Sequence, residues 1–245
     1  MILLTNGCSW TYGGSLGLDE IEKQEQRLQS TWPYHLGQLL NVSENIQLAA
    51  GCGSNQRIVR TTFDWLLEQS PERLKDTVAV IQWTEPTRYE YYEPINYNDS
   101  LENISNRWAR AKVDVVVRVE QRLVNQEDDH TAFERSQRRL ETVSHQESMY
   151  EMVDRISALG SMFKLFGVRY FYWNQTNHAY QYPERIKDYY CNNFPWLDIP
   201  QLHFSNMDDG DRWIYDRVSK TDPHPSFLGH KHLADAIYSR IRDRI

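Results

Sequence analysis

Two short stretches at opposite ends of the chain carry side chains whose types could do covalent chemistry together. Near the start, Asn6-Gly7-Cys8-Ser9 follows an uncharged apolar run, and Gly13, Gly14 and Gly17 come soon after. Near the end, Asp222-Pro223-His224-Pro225 places a carboxylate two residues from an imidazole. A serine hydroxyl is a weak nucleophile at neutral pH until a base takes its proton, and a histidine does this best when a carboxylate fixes its tautomer. Asp222 and His224 each precede a proline, which biases both toward extended backbone and restricts their loop before any ligand arrives. These types suggest Ser9 as nucleophile, His224 as base and then acid, and Asp222 as the group that orients it. Singly, each has a plainer use: Ser9 in an ordinary strand-to-loop turn, His224 as a cap of the last helix.

The elements around them must hold the two ends together. Residues 1–6 read as a buried strand that breaks at Gly7, which would let the backbone turn and leave room for a substrate beside the Ser9 hydroxyl. Trp32-Pro33 opens a helix whose first turn tolerates the proline, with Tyr34, Leu36, Leu39 and Leu40 on one face. A second strand is expected over 45–49, followed by a second glycine turn, Ala50-Gly51-Cys52-Gly53-Ser54-Asn55. The helix after it carries Ile58, Val59, Thr62, Phe63, Leu66 and Leu67, capped by Ser54 or Asn55. Amides at such a junction can bind an anion or a developing oxyanion.

Residues 77–83, Thr-Val-Ala-Val-Ile-Gln-Trp, form the clearest strand, of the kind buried on both faces of a parallel sheet. Polar residues collect again after it, from Thr84 to Arg88. Residues 89–143 change character and read as a partly helical insertion, serving as a lid or an oligomer surface. A helix over 144–166 ends at Gly167, a fourth strand covers 168–173, and a short helix over 183–192 and a fifth strand within 197–204 follow. The chain closes with a helix carrying Leu233, Ala236, Ile237 and Ile241.

A chain of 245 residues can fill one large α/β domain, expected here as 1–245, and no linker argues for two. The net charge of −7 argues against nucleic acid as the main partner. There is no apolar run long enough for a membrane span and no signal-peptide pattern, so a cytoplasmic protein without a membrane partner is the expectation. The 3 cysteines, Cys8, Cys52 and Cys191, lack metal-ligand spacing; reduced thiols and no metal or other cofactor are expected. Asp208-Asp209-Gly210-Asp211 lacks the rest of a calcium loop. The many aromatic residues, 8 Trp, 15 Tyr and 8 Phe, suit a core edge or a carbohydrate site.

Taken in order, these blocks resemble the SGNH/GDSL hydrolase family from one end of the chain to the other. Gly7-Cys8-Ser9 is similar to its Gly-x-Ser after strand one, Gly53 (or Gly51) to its glycine after strand two, and Asp222 and His224 to its C-terminal Asp-x-x-His. Two departures stand out. Gln82-Trp83-Thr84-Glu85 has Thr84 where the family has its oxyanion asparagine, and Asp222 lies one residue closer to the histidine than usual. The resemblance implies a three-layer α/β/α fold with about five parallel strands in flavodoxin-like order. It also implies hydrolysis of an acyl ester through an acyl-enzyme, with the oxyanion held by the Ser9 and Gly53 amides and Thr84 or Asn55 as a third donor. The expected substrate is a small acyl ester or acylated carbohydrate, most simply an acetyl group on a sugar. Two alternatives stand beside it: a glycan- or protein-binding module with weakened catalysis, and an acyltransferase using the same residues.

Overall fold

The computed structural model describes residues 1–18, 21–51, 53–84, 86, 88, 145–174, 188–189, 192–197, 199, 218–219, 222 and 224–245. The expected insertion at 89–143, Cys52, Cys191 and Asp208–Asp211 lie outside these, as do most of the helix expected over 183–192 and of the strand expected within 197–204.

Four strands, β1 (Ile2–Asn6), β2 (Glu44–Gln47), β3 (Thr77–Trp83) and β4 (Arg169–Asn174), form a parallel sheet in the order β2-β1-β3-β4. β3 is buried at all seven positions, as its β-branched and apolar run, interrupted only by Gln82, requires of a central strand. Trp196 makes an isolated parallel bridge to Tyr172 of β4, one residue before the stretch expected to hold a fifth strand. β2 starts and stops earlier than the expected 45–49, because Glu44 to Gln47 are the residues that register with Ile2 to Thr5.

Helices cover both faces. In chain order they are α1 (Ser9–Tyr12), α2 (Gln24–Gln29), α3 (Trp32–Leu39), α4 (Asn55–Leu67), α5 (Pro71–Lys75), α6 (His145–Phe166) and α7 (Phe227–Ile241). One core layer sets Leu4, Ala79, Ile81, Trp83, Tyr170 and Tyr172 against α4 and α6 through Ile58, Leu66, Met152, Ile156 and Phe163. The other sets Leu3, Val78, Val80, Phe171 and Trp173 against α3 and α7 through Trp32, Leu36, Leu233 and Ile237. The alternation of side chains along each strand thus feeds two separate apolar layers, giving the three-layer α/β/α architecture.

Local chemistry sets the helix ends. Ser54 Oγ accepts the Arg57 amide (3.1 Å) and Ser226 Oγ accepts the Gly229 amide (3.1 Å), capping α4 and α7. The cap of the last helix is therefore Ser226, and His224 is left to other work. Gly167 ends α6 at φ 70°, with the Val168 amide reaching back to Phe163 (2.9 Å). Among the described residues no helix is long and apolar enough to cross a membrane.

His230, in the first turn of α7, is fully buried and its Nδ1 accepts the Trp32 amide (3.1 Å), tying α7 to the start of α3. Burial above all, with the charges of His35 and His224 adding to it, pushes its pKa down to about 3. The folded state thus holds this imidazole neutral at pH values where the unfolded chain protonates it. The resulting stability is complete above the ordinary value of 6.5 and declines as pH falls from there toward 3. The slope is about 1.4 kcal/mol per pH unit. His230→Gln keeps an acceptor for the Trp32 amide and removes this load. Its deficit against wild type in urea denaturation should shrink by about 2 kcal/mol between pH 7 and pH 5; parallel curves for the two proteins would remove His230 as the cause.

Candidate active site

β1 delivers the Ser9 turn at the carboxyl end of the sheet, where open parallel sheets bind ligands. The sequence suggests a loop here. The structure instead winds Ser9–Tyr12 into α1, with Gly13 closing it at φ 85° and the Gly13 and Gly14 amides both donating to Ser9 O (3.0 and 2.8 Å). A Cβ on Gly14 would lie 3.0 Å from Cβ of Ser9, so the backbone passes this residue as closely as it can.

The turn is clamped from both neighbouring strands. Gln82 of β3 accepts the Thr11 hydroxyl at Oε1 and donates from Nε2 to Cys8 Sγ (3.0 Å), while Gln47 of β2 donates to Thr11 O. Asn6 donates to Ile58 O (3.1 Å), Thr61 Oγ1 (2.9 Å) and Thr62 Oγ1 (2.9 Å) and accepts the Gly7 amide (2.8 Å), fixing the end of β1 to α4. The space beside Gly7, expected to admit a substrate, is filled by these clamps. A Cβ there would stand 2.6 Å from Gln82 Oε1 and 2.8 Å from Gln82 Cβ, and against Thr11 Oγ1.

The two ends of the chain meet. His224 Nε2 lies 2.8 Å from Ser9 Oγ, and His224 Nδ1 lies 2.6 Å from Asp222 Oδ1. Nδ1–H donates to the carboxylate, so Nε2 presents its lone pair to the serine hydroxyl. The His224 amide also donates to Asp222 Oδ1 (3.0 Å), and Asp222 is held in turn by its amide on Ser219 Oγ (3.0 Å). Val218 N to His224 O (2.9 Å) closes the base of this loop. The one-residue-shorter spacing therefore still delivers a carboxylate to Nδ1. Burial raises the Asp222 pKa, but bonds from the His224 amide and side chain and from the Ser15 hydroxyl, with the charge of His224, outweigh it and hold the carboxyl below its ordinary range. Trp10 is buried beside the imidazole, with ring centroids 6.3 Å apart.

The expected oxyanion donors do not converge in the same way. The Ser9 amide is the first N–H of α1, which has no acceptor within a helix. The Gly53 amide instead donates to Ala50 O (3.1 Å), and the glycine serves a steric need: a Cβ would come 2.9 Å from Gly7 O. Asn55 donates from Nδ2 to Thr84 O (3.0 Å) and accepts the Thr84 amide at Oδ1 (3.0 Å), so this side chain and that backbone bind each other. Thr84 Oγ1 is closed off from solvent and has no hydrogen-bond partner among the described residues. In this conformation the Gly53 amide, the Asn55 side chain and the Thr84 backbone are thus engaged within the protein, and the Thr84 hydroxyl is buried. Among the described residues no cluster of His, Cys, Asp and Glu could hold a metal ion.

Gln47, Gln82 and Ser15 are site residues that the sequence reading did not single out. Gln82 had a signal, since a polar residue in an otherwise apolar buried strand must find partners.

Residues 18–222 match the family described as "Family of unknown function (DUF6071)". No curated protein matches the chain. Among solved structures the chain is similar to the crystal structure of TesA, with TM-score 0.51 and 10% identity over 100% of both chains. It is also similar to a protein described as lipolytic and of the G-D-S-L family from Desulfitobacterium hafniense DCB-2, with TM-score 0.47 and 13% identity over 98% of each chain. At 10% identity the likeness to TesA is one of fold, and it agrees with the expected three-layer α/β/α architecture.

Proposed function

Because the chain belongs to the DUF6071 family, whose description names no activity, its function must be read from the site, and we propose that it is a serine ester hydrolase. The observation that carries this reading is the unbroken path from Ser9 Oγ through His224 to Asp222, with links of 2.8 and 2.6 Å. His224 takes the serine proton as Ser9 attacks the ester carbonyl, then gives it to the departing alcohol; in the second half it deprotonates the water that releases the acid. Asp222 holds the imidazole in the required tautomer and steadies its positive form. The Ser9 amide stabilises the oxyanion from the start of α1.

The finer reading is an acetyl ester on a carbohydrate. The Tyr and Trp content of the sequence motivates it, since such rings stack on sugar faces, although Trp10, Trp32, Trp83 and Trp173 are spent on the core. A fluorophosphonate probe should label the protein at Ser9, as mapped by peptide mass spectrometry, and acetylated sugars should release acetate in its presence. The pairing of the Asn55 side chain with the Thr84 backbone favours a second reading, a glycan-binding module with weakened catalysis, because it engages one of the candidate oxyanion donors. Retention on acetylated glycans without any labelling of Ser9 would select that reading.

A further inference from the structure

Ser15 has the left-handed backbone of a glycine, at φ 65°, in the stretch that leaves α1 through Gly13 and Gly14. A side chain is disfavoured there, and glycine would meet the backbone requirement without strain. The side chain that stands there is exposed to solvent on one side, and its hydroxyl lies 3.3 Å from His224 Nδ1. That nitrogen already gives its hydrogen to Asp222, so the serine hydroxyl faces the bonded pair as a third member.

The pair needs one. The His224 side chain and the His224 amide both bond to the same carboxylate oxygen, Oδ1 of Asp222. Two bonds to one atom fix a point, and a hydroxyl beside the pair adds a further hold on the carboxylate. The shortened Asp-x-His spacing is what brings the amide of His224 onto its own orienting oxygen, two residues away.

We propose that Ser15 is a positioning residue: its hydroxyl, carried by a strained left-handed backbone, braces the Asp222–His224 pair at Nδ1, where the two side chains meet. This rests on the reading of Ser9 as nucleophile only for its consequence in rate. The brace itself is a property of the ground state. It also gives the N-terminal loop a second contact with the C-terminal loop, beside that of Ser9 with His224.

Ser15→Gly separates the hydroxyl from the backbone. It removes the hydroxyl and relieves the left-handed strain, so the variant should melt at or above the wild-type temperature. Fluorophosphonate labelling of Ser9 should nonetheless slow about tenfold, the worth of one hydrogen bond. The Asp222 carboxyl, followed by carbon NMR, should titrate at higher pH than in wild type, because a donor to its charged form is gone. Ser15→Ala should show the same two losses while keeping the strained backbone. Labelling at the wild-type rate, or an unmoved Asp222 midpoint, overturns the proposal. Should wild type resist labelling altogether, the nucleophile reading falls, and the Asp222 midpoint in Ser15→Gly still decides the role of Ser15.

Discussion

Ser9→Ala is expected to lower the rate of p-nitrophenyl acetate hydrolysis by on the order of 10⁴- to 10⁶-fold, to a residue left by binding and the oxyanion donor alone. Asp222→Asn is expected to cost less, on the order of 10² to 10³-fold. An asparagine in place of the orienting aspartate usually does its harm by turning its amide nitrogen toward the histidine and imposing the wrong tautomer. Here the backbone amide of His224 donates to the same oxygen that receives Nδ1–H, at 3.0 and 2.6 Å. It would hold an asparagine with its oxygen in that place. What is lost is the negative charge that steadies the imidazolium as Ser9 attacks. Initial rates at pH 8, with circular dichroism to show that both variants fold, read out the ordering. An Asp222→Asn variant as fast as wild type would strip the carboxylate of its role, and an active Ser9→Ala would move the nucleophile elsewhere.

What could be read from the sequence follows from what each feature depends on. The Thr77–Trp83 strand, the capped α4 and the meeting of Ser9, His224 and Asp222 depend on residue types, spacing and the general rule that ligands gather at strand carboxyl ends. Helix α1 was hidden because four residues among glycines carry no helical period. The glutamine clamps depend on register: Gln47 and Gln82 lie on either side of β1, and only the pairing of Thr5 with Gln47 and of Asn6 with Ile81 sets them beside the Ser9 turn. The oxyanion donors depend on subtler features. Whether the Gly53 amide faces a cleft or bonds Ala50 is decided by the turn's own closure, and whether Asn55 faces a ligand or Thr84 is decided by how near β3 passes. Ser15 left no trace, because nothing in a serine announces a left-handed backbone.

Gly7→Ala is expected to destabilise the protein by about 3 kcal/mol, at the upper end of what one added carbon costs in a packed interior. The backbone conformation is not the cause, since Gly7 is not among the glycines with positive φ. The cause is the close passage of β1 and β3. The new carbon would lie 2.8 Å from Gln82 Cβ and 2.6 Å from Gln82 Oε1, in a strand buried at every position. A flexible side chain tip can move aside, but a Cβ moves only with its strand. Gln82→Ala should therefore rescue Gly7→Ala only in part, removing the contact with Oε1 and leaving the one with Cβ. It also forfeits the bonds to Thr11 and Cys8 that hold the Ser9 turn, so the double variant should recover part of the stability without recovering the rate of Ser9 labelling. Urea denaturation and labelling kinetics on the three variants test both halves. A Gly7→Ala protein as stable as wild type would mean that β3 stands farther from the turn, and the clamp that aims the Ser9 hydroxyl at His224 would lose its basis.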